Sequence, residues 1–178
     1  MNVQIATERL VMRPPQMSDV KAYNEAIQES FDELQQWMPW AKTRESLQES
    51  EDFVRQASAD WISRKELGFW VYDKKTGDFV AAAWLYEIDW NVPKFEVGYW
   101  LRTKKSGHGL MAEVVNALTE YAFETLKGRR VEIRIDPEHL KSQKVAERCG
   151  YKLEAILKMN DVRPDGTVRD TYVYSRSR

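Results

Sequence analysis

Between residues 104 and 118 the chain reads KKSGHGLMAEVVNAL, a glycine-rich turn that opens directly into a long amphipathic helix. The run before it, Phe95 to Arg102, has the aromatic and β-branched residues of a strand. Met111, Val114, Val115, Leu118, Tyr121 and Ala122 recur at helical spacing. The helix therefore carries one apolar face and is expected to end near Lys127-Gly128. Gly107 and Gly109 permit positive φ and close approach. Backbone N–H groups at the helix amino terminus, helped by the helix dipole, can then point at a pyrophosphate. The same two glycines also suit an ordinary tight turn before a helix.

The periodicity alternates along the rest of the chain. ERLVMRP reads as a short strand stopped by Pro14 and Pro15, after which Ser18-Asp19 caps a helix with Val20, Tyr23 and Ile27 on one face. A second helix is expected from Phe31, Leu34 and Met38 up to Pro39. A third begins near Ser46, with Phe53, Val54, Ala57 and Trp61 as its stripe. Leu67 to Asp73 and Phe79 to Ile88 read as strands joined by the hairpin turn KKTG, and RRVEIRI alternates as another. LKSQKVAERCG is a short helix closed by Gly150, and two final strands, about 151–162 and 168–175, flank RPDG. This order predicts an α+β chain whose mixed, mostly antiparallel sheet is flanked by helices. With no internal repeat, low-complexity tract or Gly/Ser linker, residues 1–178 are expected to form a single domain.

Lys plus Arg (27) nearly balance Asp plus Glu (28), so no net field favours nucleic acid or an anionic membrane, and any anion site must be local. No apolar run approaches a bilayer span and MNVQIATERL does not read as a secretory leader, which predicts a cytoplasmic location. The single cysteine, Cys149, cannot form an internal disulfide and suits a small buried hydrophobe. His108 and His139 belong to no metal-ligand spacing, so no metal is expected. Monomer and homodimer both remain open.

Four segments, TERLVMRP, FEVGYWL, KKSGHG and SQKVAERCGY, together resemble the ribosomal-protein N-acetyltransferase branch of the GNAT superfamily and span nearly the whole chain. The resemblance implies the GNAT acyl-CoA N-acyltransferase fold and acetyl-CoA as cosubstrate. It also implies acetyl transfer to a primary amine, the N-terminal α-amine of a ribosomal protein. It places the pyrophosphate on Gly107, His108, Gly109, Leu110 and Met111. Lys104 stands where the family has Gln or Arg, keeping the charge without arginine's planar fork. Ser142, Val145, Ala146, Glu147, Gly150 and Tyr151 are in register with the family pattern, and His139 stands where Asn is usual. By resemblance His139 and Ser142 lie near the pantetheine arm, with Ser142 supporting the departing thiolate. Tyr99, Trp100 and Leu101 would offer backbone groups to the acetyl carbonyl and pantetheine. Read alone, Ser142 is equally a helix-start serine serving its own backbone, His139 a partly exposed loop histidine, and Lys104-Lys105 a solvated basic loop.

A thioester is already activated, so placing an amine, removing its proton and stabilising the oxyanion suffice. No Ser-His-Asp or Cys-His grouping argues for a covalent intermediate, and direct attack in a ternary complex is expected. An α-amine with a pKa near ~8 is partly neutral at physiological pH, whereas lysine near ~10.4 is not. Glu96 in FEVGYWL and Asp161 before RPDG are the two candidate bases. Each also reads plainly, as a solvent-facing strand residue and as a residue approaching a turn. Trp37, Met38 and Trp40 either line the acceptor cleft or pack a helix onto the sheet. The acidic residues Asp32, Glu33, Glu45, Glu49, Glu51 and Asp52 keep a small polycation, a polyamine or an aminoglycoside, open as acceptor. A non-catalytic acyl-CoA-binding domain on the same fold is the remaining alternative.

Overall fold

The computed structural model describes residues 3–178. Two short N-terminal strands, β1 (Ile5–Ala6) and β2 (Leu10–Arg13), lead into helices α1 (Val20–Trp37) and α2 (Leu47–Ser63). Strands β3 (Leu67–Asp73), β4 (Phe79–Asp89) and β5 (Lys94–Leu101) precede α3 (Leu110–Glu120), and β6 (Arg130–Ile135) follows it. Helix α4 (Leu140–Arg148) and the hairpin of β7 (Lys152–Val162) and β8 (Val168–Ser177) complete the chain.

One helix replaces the two expected before residue 39. No glycine or proline interrupts Val20–Trp37, so the stripe of Val20, Tyr23, Ala26, Ile27, Ser30 and Leu34 runs unbroken along one buried face. Phe31 falls off that stripe and packs under the Arg44 guanidinium, 4.7 Å from the ring centroid. Helix α2 starts where Ser46 predicts. The Ser46 hydroxyl accepts from the Glu49 N–H at 3.2 Å, and Glu49 reaches back to the Ser46 N–H at 2.7 Å, closing a capping box. Helix α3 ends in a π-helical turn, Tyr121–Thr125, and the chain leaves it tightly at Gly128. A Cβ there would stand 2.9 Å from both the Ala122 carbonyl oxygen and the Phe95 ring.

Among the described residues the eight strands form one sheet in the order β1-β2-β3-β4-β5-β6-β8-β7. All neighbours are antiparallel except β5 and β6, whose parallel pairing covers only Lys94–Glu96 against Arg130–Glu132. Beyond Glu96 these two strands part. Side chains alternate across β5. Phe95, Val97, Tyr99 and Leu101 pack with α3 in the larger core cluster, whereas Trp100 joins the aromatic layer beneath α1 and α2, with Tyr23, Trp70 and Phe79. The separation of β5 from β6 therefore opens a passage between the two faces of the sheet.

Candidate active site

The passage holds a cleft of about 660 Å³, lined among others by Glu96, Tyr99, Arg134, His139, Ser142 and Asp161. A narrower cavity of about 160 Å³ leads from it towards Ser106 and the glycine turn, along Tyr99, Leu101, Met111 and Val145. Trp37, Met38, Tyr99, His139 and Ser142 line both spaces and so mark their junction. Trp40, grouped with Trp37 and Met38 in the sequence, lines neither and is 47% exposed.

At the junction two hydroxyls meet. Tyr99 projects from β5 and Ser142 from the first turn of α4, and their oxygens lie 2.8 Å apart, either one able to donate. Ser142 is buried, and its hydroxyl engages Tyr99 rather than capping its own helix. Burial pushes the Tyr99 phenol well above its ordinary value, so it stays protonated and remains a donor. His139 stacks flat on Trp37, centroids 4.1 Å apart at 7°. Burial lowers its pKa to about 4, so the ring is neutral at physiological pH. A neighbouring pair, Lys141 Nζ to Glu33 Oε1 at 2.8 Å, gives α4 a second tie to α1.

Glu96 is not the solvent-facing strand residue its position allowed; it is 7% exposed. It lies directly across the β4–β5 ladder from Tyr86, whose hydroxyl donates to it, and 3.3 Å from the Arg134 Nε on β6. Desolvation raises its pKa, outweighing the opposing Tyr86 hydrogen bond and Arg134 charge. A buried carboxylate with a raised pKa beside an open cleft is suited to receive a proton. Asp161 lines the same cleft but is about half exposed, and it is held by Arg169 Nη2 at 2.5 Å. Arg169 and Arg163 also fasten the β7–β8 hairpin to the buried Asp136, at 3.5 and 2.8 Å.

The turn itself is open. Gly107 and Gly109 have φ of +87° and +72°, and a Cβ at either would meet none of the described residues within 4 Å. Among the described residues no side chain caps α3, so N–H groups at its first turn have no side-chain partner there. Leu110 and Met111 bury their side chains, leaving their backbone for a ligand, and His108 is exposed. The Lys104 ammonium, beside the turn and largely exposed, pairs with Glu29 Oε2 at 3.0 Å, next to the Arg102–Glu29 bridge at 2.8 Å. Trp100 lines the narrower cavity, and its ring belongs to the buried aromatic layer.

The acidic residues grouped in the sequence are mostly occupied elsewhere. Asp32 pairs with Arg44, Glu51 with Arg55, Glu45 accepts from Ser50, and Glu49 closes its capping box. Tyr86, Arg134, Arg169 and the Tyr99 hydroxyl are site groups that sequence reasoning missed. A signal existed only for Tyr86, since a hairpin joining β4 to β5 brings some residue of β4 opposite Glu96. The parallel register that delivers Arg134 leaves no local trace.

Residues 9–152 match the acetyltransferase (GNAT) domain. The chain is a GNAT-family acetyltransferase. Across 95% of this GNAT chain and 93% of the relative, p20, an uncharacterized N-acetyltransferase of Bacillus licheniformis, is 22% identical. RimL, a ribosomal L7/L12 alpha-N-protein acetyltransferase solved with coenzyme A, superposes with a TM-score of 0.91 over 98% of both chains at 21% identity. The microcin self-immunity acetyltransferase MccE, solved with acetyl-CoA and AMP, gives 0.90 over 97% of this chain and 94% of its own, also at 21% identity. These structural likenesses are of fold. Family membership makes the protein an acetyl-CoA-dependent N-acetyltransferase, and the open turn, uncapped helix and channel to Ser142 fit that cosubstrate.

Proposed function

We propose that the chain, as one catalytic domain, transfers the acetyl group of acetyl-CoA to the α-amine of a protein amino terminus, a ribosomal protein being the favoured acceptor. The observation that carries the reading is the junction of the two spaces. Glu96 lies on the cleft side, and the Tyr99–Ser142 hydroxyl pair stands where the narrow channel enters. On this reading the backbone of Gly107 to Met111 holds the pyrophosphate and the channel holds the pantetheine arm. The amine arrives through the larger cleft and Glu96 accepts its proton, directly or through one water. The nitrogen bonds to the acetyl carbon, the C–S bond breaks, and the thiolate leaves against the Ser142 hydroxyl, itself held by Tyr99. Backbone groups of β5 beyond Glu96, which have no partner on β6, receive the oxyanion. Asp161, more exposed, guides the amine at the mouth.

The α-amine preference rests on the lower basicity of that group and on the likeness to RimL. A ribosomal acceptor would place the enzyme in the cytoplasm; among the described residues no helix is long and apolar enough to cross a membrane. One observation favours a second reading. Five acidic residues (Glu87, Glu96, Glu132, Asp136, Asp161) line the cleft against three basic ones (Lys94, Arg134, Arg169); arginines pair with all but Glu87, which leaves a small surplus that suits a small cationic amine. The test is acetylation of peptides with free or blocked amino termini, each with and without an internal lysine, against polyamines and aminoglycosides. Turnover confined to free termini is expected. Acetylation of blocked, lysine-containing peptides, or of small polycations alone, would overturn the α-amine assignment.

A further inference from the structure

Glu113 sits in the first turn of α3, where a carboxylate is well placed to interfere with a bound anion. A free carboxylate there would accept from the same first-turn N–H groups and would repel a pyrophosphate. In α2 the first-turn Glu49 does fold back onto its own helix start. Glu113 is drawn the other way, by the N-terminal segment. Thr7 Oγ1 and the Arg9 backbone N–H donate to Oε1 at 2.5 and 2.9 Å. The Arg9 guanidinium engages Oε2 with both Nε and Nη2 at 2.7 Å. The third nitrogen, Nη1, donates to the His108 carbonyl at 2.9 Å. A trans peptide points its C=O and the following N–H in opposite directions. Holding the His108 oxygen on the Arg9 side therefore turns the Gly109 N–H away from it, into the open space of the turn.

We propose that Arg9 is a positioning residue for acetyl-CoA, which neutralises Glu113 and fixes the His108–Gly109 peptide so that the turn presents its N–H groups to the pyrophosphate. The inference rests on the placement of that pyrophosphate at Gly107 to Met111. Arg9 need not touch the ligand. It acts through the loop and through a charge it removes.

The experiment compares binding of CoA, by calorimetry, with binding of S-acetylpantetheine, which lacks the pyrophosphate, by NMR titration on the full chain. Arg9→Ala should weaken CoA about tenfold, equivalent to about 1.4 kcal/mol, and move S-acetylpantetheine by less than about twofold. Adding Glu113→Gln to Arg9→Ala should recover part of the lost CoA affinity, because the carboxylate charge left without its guanidinium is then gone while the His108–Gly109 peptide stays unheld. If Arg9 merely holds the fold together, both ligands weaken alike and the second substitution compounds the loss; either result overturns the proposal. Should Arg9→Ala fail to fold, Glu113→Gln alone decides, with CoA affinity retained or increased expected and a tenfold loss overturning it. Gly109→Val separates the two levels. Lost CoA binding in Gly109→Val with intact binding in Arg9→Ala refutes only the role of Arg9, whereas normal binding in a folded Gly109→Val removes the pyrophosphate placement itself.

Discussion

Ser142 and Tyr99 present one donor system, and their substitution should read accordingly. Ser142→Ala is expected to lower the single-turnover acetyl-transfer rate about tenfold or more while CoA affinity moves little. Tyr99→Phe keeps the ring and removes one hydrogen bond, a loss of about 1 kcal/mol and so about fivefold in rate. The double variant should be no slower than Ser142→Ala, because the tyrosine works through the serine. Independent, multiplicative losses in rapid-quench measurements would separate the two residues. Glu96 makes a different demand. Its folded pKa is raised, so the folded state binds that proton more tightly than the unfolded chain does. Its contribution to stability is full below the unfolded carboxylate value and is lost as pH rises through the higher folded one. At neutral pH the charged Glu96 is thus a burden on the fold. Glu96→Gln, whose amide oxygen still accepts from Tyr86, should match or exceed the wild-type melting temperature at pH 7. Its kcat/KM should fall by about 10²–10³. A destabilised Glu96→Gln with near-normal turnover would show the carboxylate to be structural.

Elements set how these residues meet. Helices α1 and α4 are joined by the Trp37–His139 stack and the Glu33–Lys141 pair, directly beside the junction of the two spaces. Trp37→Ala removes that wall. Acetyl-CoA hydrolysis without acceptor, followed as free-thiol release, should then rise several-fold as water gains the thioester, and the acceptor KM should rise with it. Unchanged hydrolysis would mean the stack serves packing alone. At this scale the sequence was informative wherever a pattern is local. The Ser46 cap, the α3 stripe and the Gly150 stop all stand where residue chemistry puts them. Two readings differ: Asp19 stands at the start of α1 without a side-chain cap because its carboxylate holds Arg13, and one helix forms where two were expected because Phe31 has the spacing of a buried residue yet packs under Arg44. Lys104 is the counterpart in the site. Its charge was legible, but its partner, Glu29 on α1, is fixed only by tertiary packing.

For the whole molecule, the fold class and the family followed from motifs spread along nearly the full chain, whereas the electrostatics of the cleft did not. Its charged residues, Glu87, Glu132 and Asp136 with Arg134 and Arg169, lie on or beside strands paired over long sequence distances. Glu132 and Asp136 spend their charges on arginines, as the acidic helices spend theirs on their own neighbours. Acetyl-CoA binding should stabilise the whole domain, about 2.7 kcal/mol at one hundred times the dissociation constant, a clear shift in a thermal melt. No shift at millimolar CoA would count against the turn as its site.

The brief pairing of β5 with β6, three residues long before the strands separate, has a kinetic consequence. On the proposed placement of acetyl-CoA in the narrow channel and of the amine in the larger cleft, donor and acceptor reach the same bond through separate doors that meet at Tyr99 and Ser142. Neither has to vacate for the other. Double-reciprocal plots at several fixed acceptor concentrations should therefore intersect, and CoA should compete with acetyl-CoA but not with the amine. Parallel lines would betray an acetylated enzyme and a single shared doorway. Two doors also free the acceptor from the dimensions of the donor's channel, so a long polypeptide can present its first residue while the rest of its chain stays outside.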